Sequence, residues 1–258
     1  MLQEICAIVC LFFTTVTAHE LGHFTVAYWL GIKIDKFALG VGPTIINFKA
    51  SDISIEINLI PIAGYVVFNT DEKNYILENL SYLKKSAVYL AGIGTNILLS
   101  FLMFFLAQFI PNNNLDANIQ PKSSEYVVTR PLETSKIVTA AHKMVIATRL
   151  LGKSSIAALQ APDPLAELSG PVSIALIATD QAKKGFHNYL TLIAVFSMGL
   201  ALLNLLPLGG LDGGGFCLIT LEAIFNKKIP SIWKQYINRS GFILLGLLIL
   251  LATVKDYF

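Results

Sequence analysis

Cys6-Ala-Ile-Val-Cys-Leu-Phe-Phe-Thr-Thr-Val-Thr-Ala-His19-Glu20-Leu-Gly-His23 places three ionisable side chains in an otherwise apolar run. Histidines four residues apart on a helix project from one face, so both rings can reach one metal ion. Glu20 is rotated off that line, where a carboxylate can hold and deprotonate a metal-bound water. Such groups at membrane depth are costly and mark functional sites. The segment therefore predicts the first helix of a metalloprotease whose active site lies within the bilayer.

Composition favours an integral membrane protein over the whole length of the chain. Of 258 residues, 54% are hydrophobic and only 14% are charged, whereas soluble domains have about a quarter charged residues. The net charge of +2 comes without a basic patch interleaved with aromatic residues, which argues against nucleic-acid binding. The expected surroundings are a lipid bilayer, and no nucleic-acid partner is expected.

Four apolar segments predict about four transmembrane helices in a mainly α-helical, polytopic fold. They cover about 4–30, 86–110, 187–207 and 239–254. The last is short for a helix that needs about 20 residues to span a bilayer.

Lys and Arg counts predict the orientation of the spans. The connection 31–85 carries six such residues and the connection 208–239 carries four. Cytosolic loops are enriched in Lys and Arg, so both connections are expected in the cytosol and both termini outside it.

A small sheet or hairpin is predicted after the first helix, within about 33–68. Apolar and polar residues alternate over 53–59, which is the period of a strand. The run 44–48 could pair with it, and a second β-prone run follows at 65–68. Two interpretations stay open: an ordinary cytosolic hairpin, or an edge strand that receives an extended substrate by β-augmentation.

The connection between the two membrane halves is expected to hold an amphipathic helix over about 132–159, lying on the membrane surface. Its predicted apolar stripe consists of Ile137, Ala140, Ala141, Met144, Val145, Thr148 and Leu151. The predicted organisation is thus a first membrane half (1–110), an extramembrane connection (111–170) and a second membrane half (171–258).

A third metal ligand is expected from the segment Ala201-Leu-Leu-Asn-Leu-Leu-Pro207-Leu-Gly-Gly-Leu-Asp212-Gly-Gly-Gly. Its glycines and Pro207 predict a broken helix, and irregular backbone at membrane depth must line a cavity or be buried in protein. His19, His23 and Asp212 would leave a fourth position open for water, as in catalytic zinc sites. Two alternatives are a turn with a capping Asp and a different zinc protease that uses Glu222.

His19-Glu20-Leu-Gly-His23 together with Asn204-Leu-Leu-Pro-Leu-Gly-Gly-Leu-Asp212-Gly-Gly resembles the site-2 protease family of intramembrane zinc metalloproteases. The likeness is greatest to the bacterial regulator-of-sigma-E protease group. Three further segments support it: Pro61-Ile-Ala-Gly64-Tyr-Val, Ala91-Gly-Ile-Gly-Thr-Asn96 and Leu168-Ser-Gly-Pro-Val-Ser-Ile-Ala175.

This resemblance implies Zn²⁺ held by His19, His23 and Asp212, with Glu20 as the catalytic base. It also implies a membrane-associated hairpin within 33–68 that holds the substrate unwound. The substrate contacts expected on this basis are Asn204, Ile55, Ile57 and Gly64.

The implied activity is zinc-dependent hydrolysis within or near transmembrane segments of single-pass membrane proteins. Substrates of the anti-sigma-factor or signal-peptide-remnant kind are expected, in a bacterial inner membrane. The alternatives are a catalytically silent scaffold or chaperone that binds transmembrane segments, and a transporter with a broken helix.

Several positions depart from the family pattern. Only about 60 residues separate Phe109 from Gly170, too few for a PDZ domain plus the amphipathic helix. Gly209 replaces a proline, Gly215 stands where histidine is common, and Ile93 replaces the proline of Ala-Gly-Pro. None of these positions is a proposed ligand, so activity is expected to persist.

Overall fold

The computed structural model describes residues 2–68, 80–111, 135–160 and 170–257. These residues form seven helices and a two-stranded sheet, which follows the first helix and packs against it. The elements are α1 (Leu2–Trp29), β1 (Ile34–Ala50), β2 (Ile53–Phe68), α2 (Tyr82–Ala107), α3 (Lys136–Gln160), α4 (Pro171–Lys183), α5 (Phe186–Asn204), α6 (Asp212–Phe225) and α7 (Ser231–Tyr257). The predicted fold class is confirmed.

Four of the described helices, α1, α2, α5 and α7, are long and apolar enough to cross a membrane. Their outer surfaces carry exposed large apolar side chains such as Leu98 and Ile243, 62% and 72% exposed. Such surfaces suit a lipid environment. The expectation that the fourth span is short was wrong, because α7 begins at Ser231 and extends over 27 residues. The polar run before residue 239 forms its first turns instead of a loop.

The helix α2 lies at the centre of the bundle and packs against α1, α3, α5 and α6. Glycine permits its close approach to α1, because a Cβ on Gly22 would lie 2.6 Å from the carbonyl oxygen of Ala91. Small residues at helix crossings bring backbones together in this way in membranes. On the other side, Ser197 Oγ donates to the backbone oxygen of Asn96 at 2.9 Å, which ties α5 to α2.

The sheet is antiparallel and strongly irregular in register. Residues 44–50 pair with 53–58, which confirms the predicted pairing of 44–48 with 53–59. Residues 34–39 pair with 64–68, and 36–39 also pair with 54–57. Residues 54–57 therefore have pairing partners on both sides. The outer edges of the described sheet are 44–50 and 64–68.

The strand β2 buries its polar face over its first half. Glu56 and Asn58 are 8% and 6% exposed, whereas Leu59 is 58% exposed. Lys36 Nζ lies 2.8 Å from Glu56 Oε1, and Asn58 Nδ2 donates to the carbonyl of Gly40 at 3.0 Å. Alternation thus predicts the strand, but the partners of the polar groups decide which face is buried.

The helix α3 packs against α2 and α5 through small side chains. Ala140 and Ala147 are buried against α2 and α5. Of the predicted apolar stripe, Ala140 is buried, whereas Ile137 and Val145 are 58% and 42% exposed. Its buried face takes small residues because neighbouring helices lie against it, and the larger apolar residues point outward.

The predicted break after the third span is confirmed. The helix α5 ends at Asn204 and α6 begins at Asp212, with Gly210 in the left-handed region at φ 85°. Most of the predicted connection 111–170, with its expected lack of a PDZ domain, lies outside the described residues. So do Leu168 and Ser169 of the motif that precedes α4.

Candidate metal centre

Three side chains distant in sequence offer their ligand atoms to one point in the bundle. His19 Nε2 and His23 Nε2 are 3.2 Å apart, and each lies 3.1 Å from Asp212 Oδ2. One ligand atom from each residue lies within 4.8 Å of the others. The helix α1 supplies both histidines from one face, and the first residue of α6 supplies the carboxylate.

The spacing of these atoms fits a tetrahedral metal ion. Ligand atoms bound about 2.0–2.1 Å from a tetrahedral zinc lie about 3.3 Å from one another, close to the three separations in this group. Two neutral imidazoles and one carboxylate also form a ligand set typical of catalytic zinc. These residues can therefore hold such an ion.

The outward nitrogen of each ring faces a hydrogen-bonding group on α2. His23 Nδ1 lies 2.8 Å from the carbonyl oxygen of Val88. His19 Nδ1 lies 3.4 Å from Asn96 Nδ2, and the Asn96 Oδ1 atom is buried without a partner among the described residues. Rotating the amide, whose two ends are nearly isosteric, places Oδ1 where it accepts from Nδ1–H. Both Nε2 lone pairs then point to the shared centre.

Glu20 lies beside the ligand group and is only 8% exposed. Its carboxylate interacts electrostatically with both imidazoles and with Asp212. The sheet reaches it at Gly64, where a Cβ would lie 2.6 Å from Glu20 Cγ. Only glycine lets the strand pass this close to the carboxylate.

A second glycine, Gly92, gives the histidines their space. A Cβ there would overlap His23 Nε2 and the ring of His19. Gly94 lies two residues further along the same helix, and nothing lies within 4 Å of its Cβ position. The positions of the two imidazoles therefore require glycine at residue 92.

Glycines that follow Asp212 pack against the turn that precedes it. A Cβ on Gly213 or Gly214 would overlap the carbonyls of Leu205 and Leu208, in the turn between α5 and α6. Gly215, where the family commonly has histidine, contacts the ring of Tyr89. These contacts fold α6 back on the turn and hold Asp212 toward α1.

A cavity of about 630 Å³ opens at this centre, between α1, α2, α5, α7 and the second half of β2. Asn204 and Gly64 line it together with His19, His23, Glu20 and Asp212. Ile55 and Ile57 do not line it, since they lie in the part of β2 that is paired on both sides. The structure thus brings together six of the eight predicted site residues.

Several cavity residues have no distinguishing signal in the sequence. Tyr89 projects from α2, and Phe242, Leu245 and Ile249 form a wall contributed by α7. In an apolar helix, such residues look like any lipid-facing side chain. Only the arrangement of helices identifies them.

Glu222 is engaged elsewhere. Its carboxylate lies 2.8 Å from Lys234 Nζ and accepts from the backbone N–H of Ile229 at 2.7 Å. Burial raises the pKa of Glu222, but the hydrogen bonds from Lys234 and Ile229 outweigh burial and hold the pKa below its ordinary value. The alternative that Glu222 completes a zinc site is therefore not favoured.

Comparison with known proteins agrees with this geometry. The sequence model described as Peptidase family M50 matches residues 7–248. This range contains both histidines, Glu20 and Asp212, and it extends from α1 into α7.

Several relatives match nearly the whole chain. A Clostridium perfringens protein, CPE1693, provisionally named a zinc metalloprotease, is 24% identical over 320 residues, covering 95% of this chain and 96% of its own. The similarly named Cj1068 of Campylobacter jejuni is 24% identical, with coverages of 92% and 89%. The chloroplastic membrane metalloprotease ARASP of Arabidopsis thaliana is 23% identical, with coverages of 94% and 76%.

Replacing Gly92 with alanine should destroy the ligand group. The added Cβ must displace both imidazoles or push α2 from α1, so Gly92→Ala is expected to lose at least tenfold in metal affinity. The measurement is metal content after purification and dialysis, by atomic emission. Gly94→Ala, with open space at its Cβ, is the matched control and should keep its metal. Equal metal content in both variants would contradict the tight fit at Gly92.

Proposed function

The chain belongs to peptidase family M50 and is a membrane metalloprotease, and from this premise we propose that it hydrolyses peptide bonds within or near transmembrane segments of single-pass membrane proteins. The observation that supports this most is the convergence of His19, His23 and Asp212 beside Glu20. The cavity around them is walled by membrane-spanning helices and by the edge of a sheet.

In this proposal His19, His23 and Asp212 hold Zn²⁺. The bound ion supplies Lewis acidity and lowers the pKa of a coordinated water toward about 7. Relatives named as zinc metalloproteases support the choice of metal. Asp212 lies at the first position of α6, where the positive end of the helix dipole favours the ionised carboxylate.

Glu20 acts as the catalytic base. Its carboxylate lies in the cavity next to the ligand group, placed to take a proton from the attacking water. The same carboxyl then delivers that proton to the amide nitrogen of the leaving strand as the C–N bond breaks. Its near-complete burial keeps bulk water from competing for the proton.

Asn96 and the carbonyl of Val88 act as positioning groups for the two imidazoles. Each accepts a hydrogen bond from an Nδ1–H, which fixes the tautomer that leaves Nε2 free to bind metal. Val88 and Asn96 both belong to α2, so the helix at the centre of the bundle orients both imidazoles.

The edge of β2 at residues 63–68 is the proposed substrate platform. Ala63, Gly64, Val66 and Phe68 line the cavity beside Glu20, and 64–68 form an outer edge of the sheet. A transmembrane helix hides its peptide bonds in intrahelical hydrogen bonds. Pairing with this edge would hold the unwound substrate extended, with its carbonyl exposed to the metal. Asn204, which also lines the cavity, would contact the substrate backbone.

The proposed location is the inner membrane of a bacterium, with both termini outside the cytosol. The Lys and Arg excess in the connections 31–85 and 208–239 supports this orientation. The sheet and the metal ligands then face the cytosolic side of the membrane. Single-pass proteins of the anti-sigma-factor or signal-peptide-remnant kind are the substrates proposed.

Separate substitutions of Glu20 and Asp212 distinguish catalysis from metal binding. Glu20→Gln should reduce cleavage of a single-pass membrane reporter by a factor of about 10³ or more, because no base remains, while zinc content stays near one per chain. Asp212→Ala should lose both cleavage and zinc. Cleavage is followed by immunoblot in liposomes and zinc by atomic emission.

A matched control for the carboxylate change is Glu4→Gln, at the opposite end of α1, which should cleave normally. Full cleavage by Glu20→Gln would rule out its role as the base. Zinc retained at full stoichiometry in Asp212→Ala would show that another group is the third ligand. Zinc binding without cleavage of any membrane reporter by the unaltered protein would favour the scaffold alternative.

Substituting Asn96 tests the positioning of His19. Asn96→Leu is expected to weaken zinc affinity by about 10–100-fold, the usual effect of losing a hydrogen-bond partner of a ligand. Asn96→Asp keeps an acceptor at the same place and should retain most of the affinity. Competition with a chromophoric chelator measures both constants. If both variants lose affinity equally, the acceptor at Asn96 is not what orients the ring.

Disulfide cross-linking tests the strand edge. In a Glu20→Gln background with Cys6, Cys10 and Cys217 replaced, Ala63→Cys should cross-link to a cysteine near the cleavage site of the reporter. Phe48→Cys, on the opposite edge of the sheet, is the control and should cross-link at least tenfold less. Equal yields at both edges, measured by non-reducing electrophoresis, would refute the proposed platform.

A further inference from the structure

We propose that the groove between α3 and α5 is a binding site for an anionic phospholipid, with its phosphate on Lys143 and an acyl chain along the apolar part of the groove. This groove is separate from the metal cavity and shares none of its lining residues. The proposal therefore does not depend on the proteolytic function.

The groove has a polar end and an apolar continuation. Its volume is about 580 Å³, within the range of small-molecule sites. Lys143, His187 and Asn188 lie toward the starts of α3 and α5. The lining further along the two helices is mainly apolar and includes Ala147, Leu151 and Val195, with the hydroxyl side chains of Thr191 and Ser154 among them. The apolar residues lie up to eight positions further on, or about 12 Å along a helix. This polarity matches that of a phospholipid.

Both helices enter the groove from the same end of the bundle. His187 Nδ1 donates to the carbonyl oxygen of Ala107 at 2.8 Å, at the end of α2. Gln108 Nε2 donates to the carbonyl of Lys136 at 2.9 Å, at the start of α3. The polar end of the groove thus lies where three helices end or begin, which is where a headgroup would lie relative to a bilayer.

Lys143 is a half-buried cation at the polar end of the groove. It lies on the face of α3 that packs against the bundle, and burial alone lowers its pKa. No acidic side chain of the described residues pairs with it. The helix α3 carries four Lys or Arg residues and no Asp or Glu. A desolvated ammonium of this kind is stabilised by an anion.

A phospholipid satisfies both halves of the groove. A cation beside lipid-exposed apolar surface attracts anionic headgroups, and the outer side of the groove is lined by the exposed apolar residues Ile146 and Leu150. A free anion would fill only the polar end. A peptide would fill the apolar part of the groove with separate side chains, whereas an acyl chain is continuous along it.

The experiment compares Lys143→Gln with Lys153→Gln, a change of equal charge at an exposed position of the same helix. Each full-length protein is purified in neutral detergent and mixed with phosphatidylglycerol, phosphatidylcholine or inorganic phosphate. Native mass spectrometry counts retained lipids, and Tm is recorded with each additive. Phosphatidylglycerol should be retained at least tenfold better than phosphatidylcholine and should raise Tm. Lys143→Gln should lose that preference, whereas Lys153→Gln and Lys143→Arg should keep it.

The remaining outcomes decide between occupants. In neutral detergent without added lipid, Lys143→Gln should melt at or above the unaltered protein, because a desolvated charge has been removed. A large fall in its Tm would mean that an acidic residue of this chain pairs with Lys143, and would overturn the proposal. Protection by phosphate equal to that by phosphatidylglycerol would indicate a free-anion site and would also overturn it, as would equal lipid retention by all four proteins.

Discussion

The structure depends on keeping two imidazoles and a carboxylate together inside an apolar helix bundle. Each of these groups, buried alone, would be costly, but here the three contact one another at 3.1–3.2 Å. Such proximity requires three helices to meet at one point with little between them. Glycine satisfies that requirement at Gly22 and Gly92, where a side chain would separate α1 from α2 or displace the rings. The small residues around the site are therefore explained by the close approach of these helices.

The break between α5 and α6 brings Asp212 to the two histidines. An uninterrupted helix from α5 through α6 would carry Asp212 along a straight line, two turns beyond Asn204. The turn at 205–211 instead lets α6 fold back, packed through Gly213 and Gly214 on the carbonyls of the turn. The turn also contacts α7, because Gly209 and Gly241 leave no room for a Cβ between them. One irregular segment thus places a ligand and fixes a wall of the cavity.

Sequence alone predicts the parts of the molecule that depend on local spacing. His19 and His23 share a helix face because of the helical period. The glycines around Asp212 predict a break in the helix from their own conformational freedom. What depends on distant partners is not predictable in this way. The paired strand at 54–57 looked as suitable for a substrate as the edge at 64–68, since register and strand order arise only from folding. Along α3, Ala140 is buried while Ile137 and Val145 are exposed, because the neighbouring helices, not the apolar pattern of α3, decide which side chains pack inward.

The sheet edge and the candidate metal centre meet at Gly64, which lies against Glu20. A protease that acts on membrane helices needs a peptide bond freed from its helical hydrogen bonds before a base can be useful. An edge strand supplies replacement hydrogen bonds, but only if it lies within reach of the carboxylate that moves the proton. At Gly64 the strand comes close enough to Glu20 that a Cβ would not fit, so in the proposed function unwinding and hydrolysis would occur at the same peptide bond. In the proposed mechanism, a side chain at this position would push the strand away from Glu20 and so separate the extended substrate from its base.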